Sequence, residues 1–346
     1  MRKVIYILLT AVMILLFLGI VMLTSTSQVL AEARFGDPLH FLKRQMVAVV
    51  ISVIAAIVAS RIHYHVLQKL RWFLICPTMA MLVMVLIPGV GSSRLGARRW
   101  LDLGPMDFQP SELGKLAVVV LMAWWLARIK HKTNTLKEGV VLPLMMCAIP
   151  IGLIFVEPDY GTTLLLGCVC FAMLFIAGAR IEYLLVGATV GAFAFAVAVM
   201  QDAERMRRLI AFLDPEKYAD GEAFQLMNAM RAFIHGGSTG RGLGESVQKH
   251  HYLPEAHTDF IFAIIGEELG PWGSFSVLLL FGVILVCGLI ISARAADRFG
   301  KFLAFGLTLV IVLQALINMG VVTGCLPTKG IALPFISNGG SHLLMG

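Results

Sequence analysis

The sequence predicts an all-α, polytopic membrane protein of about ten transmembrane helices, with a large extracytoplasmic loop between the seventh and the eighth. Three observations carry this. Hydrophobic residues make up 58% of the chain and charged residues only 14%, with a mean hydropathy of +0.85, far from the composition of soluble globular domains. Near-continuous apolar stretches recur at lengths suited to a bilayer core. The loops between them fall into two alternating sets of different charge.

The first stretch, Val4 to Leu23, exceeds the ~7–15 residues of a signal-peptide core and reads as a retained span. Met46 to Ser60, Trp72 to Ile87, Leu113 to Ala127, Val140 to Val156, Thr162 to Gly178 and Tyr183 to Met200 follow. Trp272 to Ser292 and Phe302 to Cys325 bring the spans to nine. A tenth begins near Leu333 and stops at Gly346, short of the ~20 residues that a helical span needs, so the chain is expected to be truncated. Residues 1–346 are expected to form a single integral membrane domain, within which 201–258 is the large loop.

Orientation follows from the loops. One alternating set holds Arg2, Lys3, Arg61, Lys69, Arg71, Arg128, Lys130, Lys132, Lys137, Arg180, Arg294, Arg298 and Lys301, against only Glu138, Glu182 and Asp297. Dense Lys and Arg in short loops mark the cytoplasmic side, so both termini are expected there. A basic inner surface facing anionic headgroups accounts for most of the net charge of +7, and no nucleic-acid partner is expected. The six cysteines fall in or at the ends of apolar spans and suit neither a disulfide framework nor a metal site. His250, His251 and His257 do not have the spacing of a standard zinc site either, and no protein metal centre is expected.

The opposite loops are rich in polar and special-geometry residues, so function is expected there. In the longest, Phe224 to Ile234 alternates Gln225, Asn228 and Arg231 with Phe224, Met227, Met230 and Phe233, a pattern that suits a helix in the headgroup layer. A Gly-rich stretch from His235 to Gly244 follows. It reads as a flexible loop or as a backbone cradle for phosphate, without matching a nucleotide fingerprint. The segment Tyr252 to Gly270 then places Asp259 at a membrane edge. Were it helical from Thr258, Ala263, Gly266 and Gly270 would lie below Asp259 on one face, leaving a cavity or allowing close helix packing. A carboxylate costly to desolvate there suits a general base, with Glu255 and His257 near enough to tune it. Lys115 stands one turn into a span, after Ser111 as a candidate cap and Glu112 in the first turn. Arg98, Arg99 and Trp100 precede it, suited to a phosphate and sugar ligand or to interfacial anchoring.

These loops resemble those of the SEDS family (shape, elongation, division and sporulation), the polytopic peptidoglycan polymerases. The resemblance covers nearly the whole chain. It runs through Ser25-Thr-Ser-Gln, Gly36-Asp-Pro with Phe41-Leu-Lys-Arg-Gln45, Gly96-Ala-Arg-Arg-Trp-Leu-Asp-Leu-Gly104, and Gln109-Pro-Ser-Glu112 with Lys115. It continues through Glu157-Pro-Asp-Tyr-Gly-Thr162, Gly242-Leu-Gly-Glu-Ser-Val-Gln-Lys249, Tyr252 to Gly270, Pro327-Thr-Lys-Gly330 and Leu333-Pro-Phe-Ile-Ser337. The Gly36 to Gln45 stretch and Leu253-Pro-Glu-Ala-His-Thr-Asp259 are closest to the division-type branch. Asn338 and His342 depart from the family pattern, which usually has Tyr and Ser there.

The resemblance implies a glycosyltransferase that polymerises lipid II into β-1,4 glycan strands at the division septum of the bacterial cytoplasmic membrane, with undecaprenyl pyrophosphate as leaving group. Asp259 matches the family's catalytic acid and is assigned as general base. A diphosphate leaving group needs positive charge more than a proton donor, and Arg99, Lys115, Lys249 and Lys329 are candidates to supply it. A divalent cation, Mg or Mn, is a further candidate, and no organic cofactor is expected. Trp100 is expected to pack on a sugar or lipid segment, and Gln109, Glu255, His257 and Ser337 complete the substrate-binding set. A class B penicillin-binding transpeptidase, other division proteins and membrane lipid are the expected partners. The alternatives are a transporter of the same lipid and a non-catalytic division scaffold; no pair of broken spans in corresponding halves favours the transporter.

Overall fold

The computed structural model describes residues 1–94, 97–102, 107–249 and 257–346. Helices α1 (Arg2–Phe35), α2 (His40–Arg61), the short α3 (His65–Lys69) and α4 (Arg71–Leu86) lead into an antiparallel sheet of β1 (Gly91–Arg94), β2 (Ala97–Asp102) and β3 (Asp107–Phe108). Then come α5 (Pro110–Ile129), α6 (Leu142–Val156) behind a π turn, α7 (Tyr160–Ala177) and α8 (Ile181–Met200). Helices α9 (Ala203–Leu213) and α10 (Phe224–Gly236) occupy the long loop, and α11 (Ile261–Ala293), α12 (Arg298–Val322) and α13 (Gly340–Met345) close the chain.

Among the described residues, seven helical stretches are long and apolar enough to cross a membrane: α1, α2, Lys137–Val156, α7, α8, α11 and α12. Helix α4 is shorter, and α5, although 20 residues long, carries charges at its ends. The nine apolar stretches of the sequence are thus all helical. The sheet between α4 and α5 was not foreseen.

Helices α5 and α12 lie at the centre. Helix α5 is buried over most of its length among α4, α6, α7 and α12. Helix α12 also packs on α11, which joins α1 and α10 in a second apolar cluster. Helix α8 is peripheral: Leu184 is its one buried residue, whereas Val186, Val190 and Phe193 are exposed, as on a face meeting lipid acyl chains.

Two expectations are corrected by the backbone. The apolar segment from Leu333 does not begin a helix: residues 331–337 are buried but irregular, Phe335 has φ +66°, and helix resumes only at Gly340. A helix would satisfy its own amides; this segment uses side chains. Gln314 Nε2 donates to Ala332 O at 2.9 Å, and one turn further along α12, Asn318 Nδ2 donates to Ile331 O at 2.6 Å and to Asp259 O at 2.7 Å. Ser337 Oγ accepts from Leu333 N and donates to Thr258 O. Buried backbone away from water must find such partners, which is why polar residues stand on an otherwise apolar α12.

Nor is the chain helical from Thr258. Helix α11 starts at Ile261, after a turn that contains Asp259, and is kinked at Gly270 (φ 69°, ψ −164°) before Pro271. Pro271 has no N–H to give Glu267 O; instead Arg241 N donates to Glu267 O and Gly242 N to Glu268 O, both at 3.0 Å. Two amides of the Gly-rich stretch, those of Arg241 and Gly242, thus complete the broken helix. Gly240 lies backbone to backbone with Gly270, with no room for a Cβ. Gly236 meets Gly266 in the same way, so the small residues of α11 serve close packing of α10, whose Leu226, Asn228, Ala229 and Ala232 are buried. Helix α10 is docked on α11 on this side; Asn228, read from the sequence as part of a polar face, is turned inward.

Replacing Asn318 by Leu removes the donor for two buried carbonyls and is expected to cost about 2–4 kcal/mol, at ~1–2 for each carbonyl left unsatisfied. Gln314→Leu removes both the donor to Ala332 O and the oxygen that accepts from Lys115, and should cost about as much. Thermal unfolding in detergent that gave both variants the wild-type midpoint would sink this account of the last loop.

Candidate active site

The loops that connect α4 to α5, α6 to α7, α8 to α11 and α12 to α13 all lie at one end of the bundle, where most of the predicted site residues meet. Asp259, half-buried, is fixed from below by the bond from Asn318 to its carbonyl. Its carboxylate adjoins Gly330: a Cβ on that residue would stand 2.6 Å from Asp259 Oδ2. The last loop thus passes directly against the carboxylate, and only glycine leaves the approach open. His257 packs its ring on Phe41 at 5.1 Å, and its carbonyl accepts from Asn338 N. Glu255, with His250 and His251, lies outside the described residues.

The turn between α6 and α7 forms a second part. Asp159 caps α7, accepting from Thr162 N at 3.1 Å and Thr162 Oγ1 at 2.9 Å, and also receives Ser111 Oγ and Gln109 Nε2 at 3.3 Å. Ser111 therefore bonds across to α7 rather than capping α5. Arg99 donates Nε to Glu157 O (3.2 Å) and an Nη to Pro158 O (2.5 Å). Trp100 stands edge-on to His342 at 6.3 Å. Lys329 lies near Asp159, Arg99 and Arg205, with its Nζ 5.3 Å from the Phe195 ring. Burial first, and then the two guanidinium groups, lower its pKa to about 8, against the pull of Asp159.

The four candidate cations divide into two kinds. Lys115 is 6% exposed and bound at 2.7 Å to Glu112 and at 2.6 Å to Gln314, while Glu112 also contacts His342 at 2.8 Å. Lys249 pairs with Glu268 at 3.2 Å, reaches Ser25 at 3.1 Å and donates to Gly244 O. Both are locked into buried networks that tie helices and loops together. Arg99 and Lys329 instead gather at the turn after α6.

Sequence reasoning missed three further residues. Glu267, fully buried, accepts from Ser246 Oγ (2.5 Å), Val247 N (3.1 Å) and Gln248 N (3.4 Å) and so clasps the strand of chain that leads toward Asp259. Glu157 is fully buried, and its carboxylate oxygens have no hydrogen-bond partner among the described residues. Burial first, and the neighbouring Asp159 second, push its pKa up to about 8, opposed by Arg99. Arg205 on α9 lies over the Tyr160 ring at 3.2 Å. The signal for the two glutamates was their place inside the matching motifs; for Arg205 it was the cap residue Asp202 opening an amphipathic helix.

A helical bundle with seven membrane-length apolar helices among the described residues, and with the candidate site residues gathered at one end, defines a multi-pass membrane protein. Residues 6–346 match the family model of the FtsW, RodA and SpoVE cell cycle proteins, and the chain belongs to that family. It is 41% identical to the probable peptidoglycan glycosyltransferase FtsW of Trichlorobacter lovleyi over 98% of this chain and 89% of that one. With the corresponding protein of Legionella pneumophila it shares 39% over 97% and 86%. Among solved structures it is similar, with a TM-score of 0.79 and 26% identity over 98% of this chain and 93% of the other, to a chain of a peptidoglycan synthase complex that coordinates polymerization and crosslinking. Against the rod shape determining protein RodA of Thermus thermophilus the TM-score is 0.72, at 26% identity over 98% and 91%.

Glu157 yields a pH prediction. Its folded pKa lies above the ordinary 4.5, so the folded protein holds a proton that the unfolded chain releases, and stability falls as pH rises from about 4.5 to about 8. Glu157→Gln removes that loss. The thermal midpoint of the variant should therefore gain on wild type between pH 5 and pH 8, and a constant gap would show that Glu157 does not carry the proton. For the buried pair, Lys115→Met alone should cost about 3–5 kcal/mol, and together with Glu112→Leu less than the sum of the two, as read by the same unfolding experiment.

Proposed function

We propose that the protein is a peptidoglycan glycosyltransferase that polymerises lipid II into β-1,4 glycan strands. The observation that carries this is the placing of Asp259 against Gly330, the residue next to Lys329, at the end of the bundle where Arg99 and Lys329 gather. The relatives named as probable peptidoglycan glycosyltransferases support it. In this reading the 4-hydroxyl of the acceptor sugar attacks the anomeric carbon of the donor. Asp259 removes the hydroxyl proton as the new C–O bond forms. The bond to the diphosphate breaks on the opposite side, and the electron pair leaves with undecaprenyl pyrophosphate, whose charge Arg99 and Lys329 offset. Lys115 and Lys249, already paired with buried acids, hold the scaffold. Trp100, Gln109, His257 and Ser337 line or brace the same end.

A divalent cation would supply added charge on the diphosphate. Among the described residues no three His, Cys, Asp or Glu side chains converge, and no step is assigned to it. The basic loops at the far end of the bundle support a cytoplasmic placement of both termini, with the site outside the cytoplasmic membrane and at the septum. The similarity to a chain from a synthase complex that couples polymerization and crosslinking supports a class B penicillin-binding transpeptidase as partner.

Asp259→Ala and Asp259→Asn, assayed on purified lipid II with the cognate transpeptidase at equal folded amounts, should lower polymerisation about 100-fold or more. Wild-type rates in both variants would remove Asp259 as the base. An intact wild-type complex that made no strands would move the assignment to lipid transport or scaffolding.

A further inference from the structure

We propose that Arg205, on helix α9, completes a diphosphate-binding site with Arg99 and Lys329 over the turn 157–161, and that this site takes the diphosphate of a polyprenyl-linked donor. The proposal rests on the polymerase reading and deepens it.

Three elements remote in sequence converge on these five residues. Arg99 comes from β2 and grips the carbonyls of Glu157 and Pro158. Arg205 comes from α9 and covers the ring of Tyr160 at 3.2 Å. Lys329 comes from the last loop and passes Gly161, where a Cβ would stand 3.6 Å from Lys329 Cδ. Apposing three cations costs energy unless something negative offsets them. The nearby acids do so only in part. Asp202 pairs through Oδ2 with Arg205 at 3.1 Å, at a partly exposed position where solvent screens the pair, and caps α9 through Oδ1. The oxygens of Asp159 are engaged by Thr162, Ser111 and Gln109, and Glu157 holds its proton up to about pH 8. Burial first, and then the two guanidinium groups, lower the pKa of Lys329 against the pull of Asp159. Cations whose nearest acid is shared in this way are expected where an anion is to be bound, whereas Lys115 and Lys249 are each paired directly with a buried glutamate, at 2.7 Å and 3.2 Å.

The surroundings fit a lipid-linked anion better than a free one. Two guanidinium forks and an ammonium suit the several oxygens of a diphosphate. From the turn, Tyr160 stacks edge-on with Phe195 of α8 at 6.1 Å, and α8 continues into the exposed apolar face of Val186, Val190 and Phe193. A polyprenyl tail can lie along that face while its diphosphate sits over the turn.

The test is binding to the full chain in detergent, with undecaprenyl pyrophosphate as probe and undecaprenyl phosphate, inorganic pyrophosphate and phosphatidylglycerol as competitors. Arg205→Gln should weaken the probe about tenfold or more, the loss of one charged hydrogen-bonding group, and Arg205→Lys less. Arg207→Gln, the same charge change at an exposed neighbour paired with Glu222, should leave affinity unchanged. With lipid II, Arg205→Gln should raise KM more than it lowers kcat. Wild-type affinity in a folded Arg205→Gln variant would overturn the site, as would equal competition by phosphatidylglycerol, and equal competition by inorganic pyrophosphate would overturn its lipid-linked ligand. Arg205-dependent binding of the probe by a protein that makes no strands would leave the site standing and the polymerase reading fallen; strand synthesis with probe binding indifferent to Arg205 would do the reverse.

Discussion

The arrangement depends on one constraint: backbone buried in an apolar bundle must find hydrogen-bond partners inside the protein. Most of the chain meets it by being helical. Residues 331–337 do not, because a segment that brings Lys329 and Gly330 over the mouth of the bundle and then descends between α1 and α12 has no register in which to close helical bonds. Gln314, Asn318 and Ser337 meet the demand instead, and their positions follow from it. The descent is also tight: a Cβ on Gly19 of α1 would stand 2.7 Å from the Cα of Ile336. Any larger residue there would push the last loop, and with it Gly330, out of place.

The same amides couple scaffold and chemistry. Asn318 donates to the carbonyls of Ile331 and Asp259 alike, so the candidate base and the loop facing it share one anchor. Gln314 is in turn held by Lys115, and Lys115 by Glu112. On the other side Glu267 and Glu268 clasp the chain at 246–249 against the kinked helix. Asp259 therefore sits between two clamps, although it lies in a turn rather than in a helix. Buried ion pairs add little net stability, but breaking one strands a charge, so they fix geometry more than they add stability.

What was legible in the sequence follows from the range of each signal. The spans were legible because hydropathy is a property of each segment by itself. Asp259 was legible from its place in a motif at the edge of a span. The sheet at 91–108 was hidden, since Gly91-Ser-Ser-Arg94 and Ala97-Arg-Arg-Trp-Leu-Asp102 show no alternation of apolar and polar residues. The apolar residues after Leu333 read as a span because a buried loop and a buried helix have the same composition. Lys115 and Lys249 looked like candidate substrate cations because sequence does not say whether a nearby acid turns toward a lysine; Glu112 and Glu268 do, and Gln314 and Ser25, some 200 residues away, add to the hold. The Gly-rich stretch read equally as a flexible loop or a phosphate cradle, because nothing local says that the amides of Arg241 and Gly242 meet a proline-broken helix.

Charge placement then separates two kinds of cation that composition cannot tell apart. A lysine beside a buried carboxylate has its field offset at short range and can do little for a substrate. Lys329 differs in that the carboxylate near it, Asp159, is already held by Thr162, Ser111 and Gln109, while two guanidinium groups stand against it. A single residue separates Lys329 from the candidate base, since Lys329 precedes Gly330 and Gly330 touches Asp259. In an inverting displacement the nucleophile must enter on the face opposite the departing diphosphate. A strap that carries Lys329 and then passes Asp259 at Gly330 sets a candidate leaving-group cation and the candidate base along one loop, with no side chain on Gly330 to crowd the carboxylate.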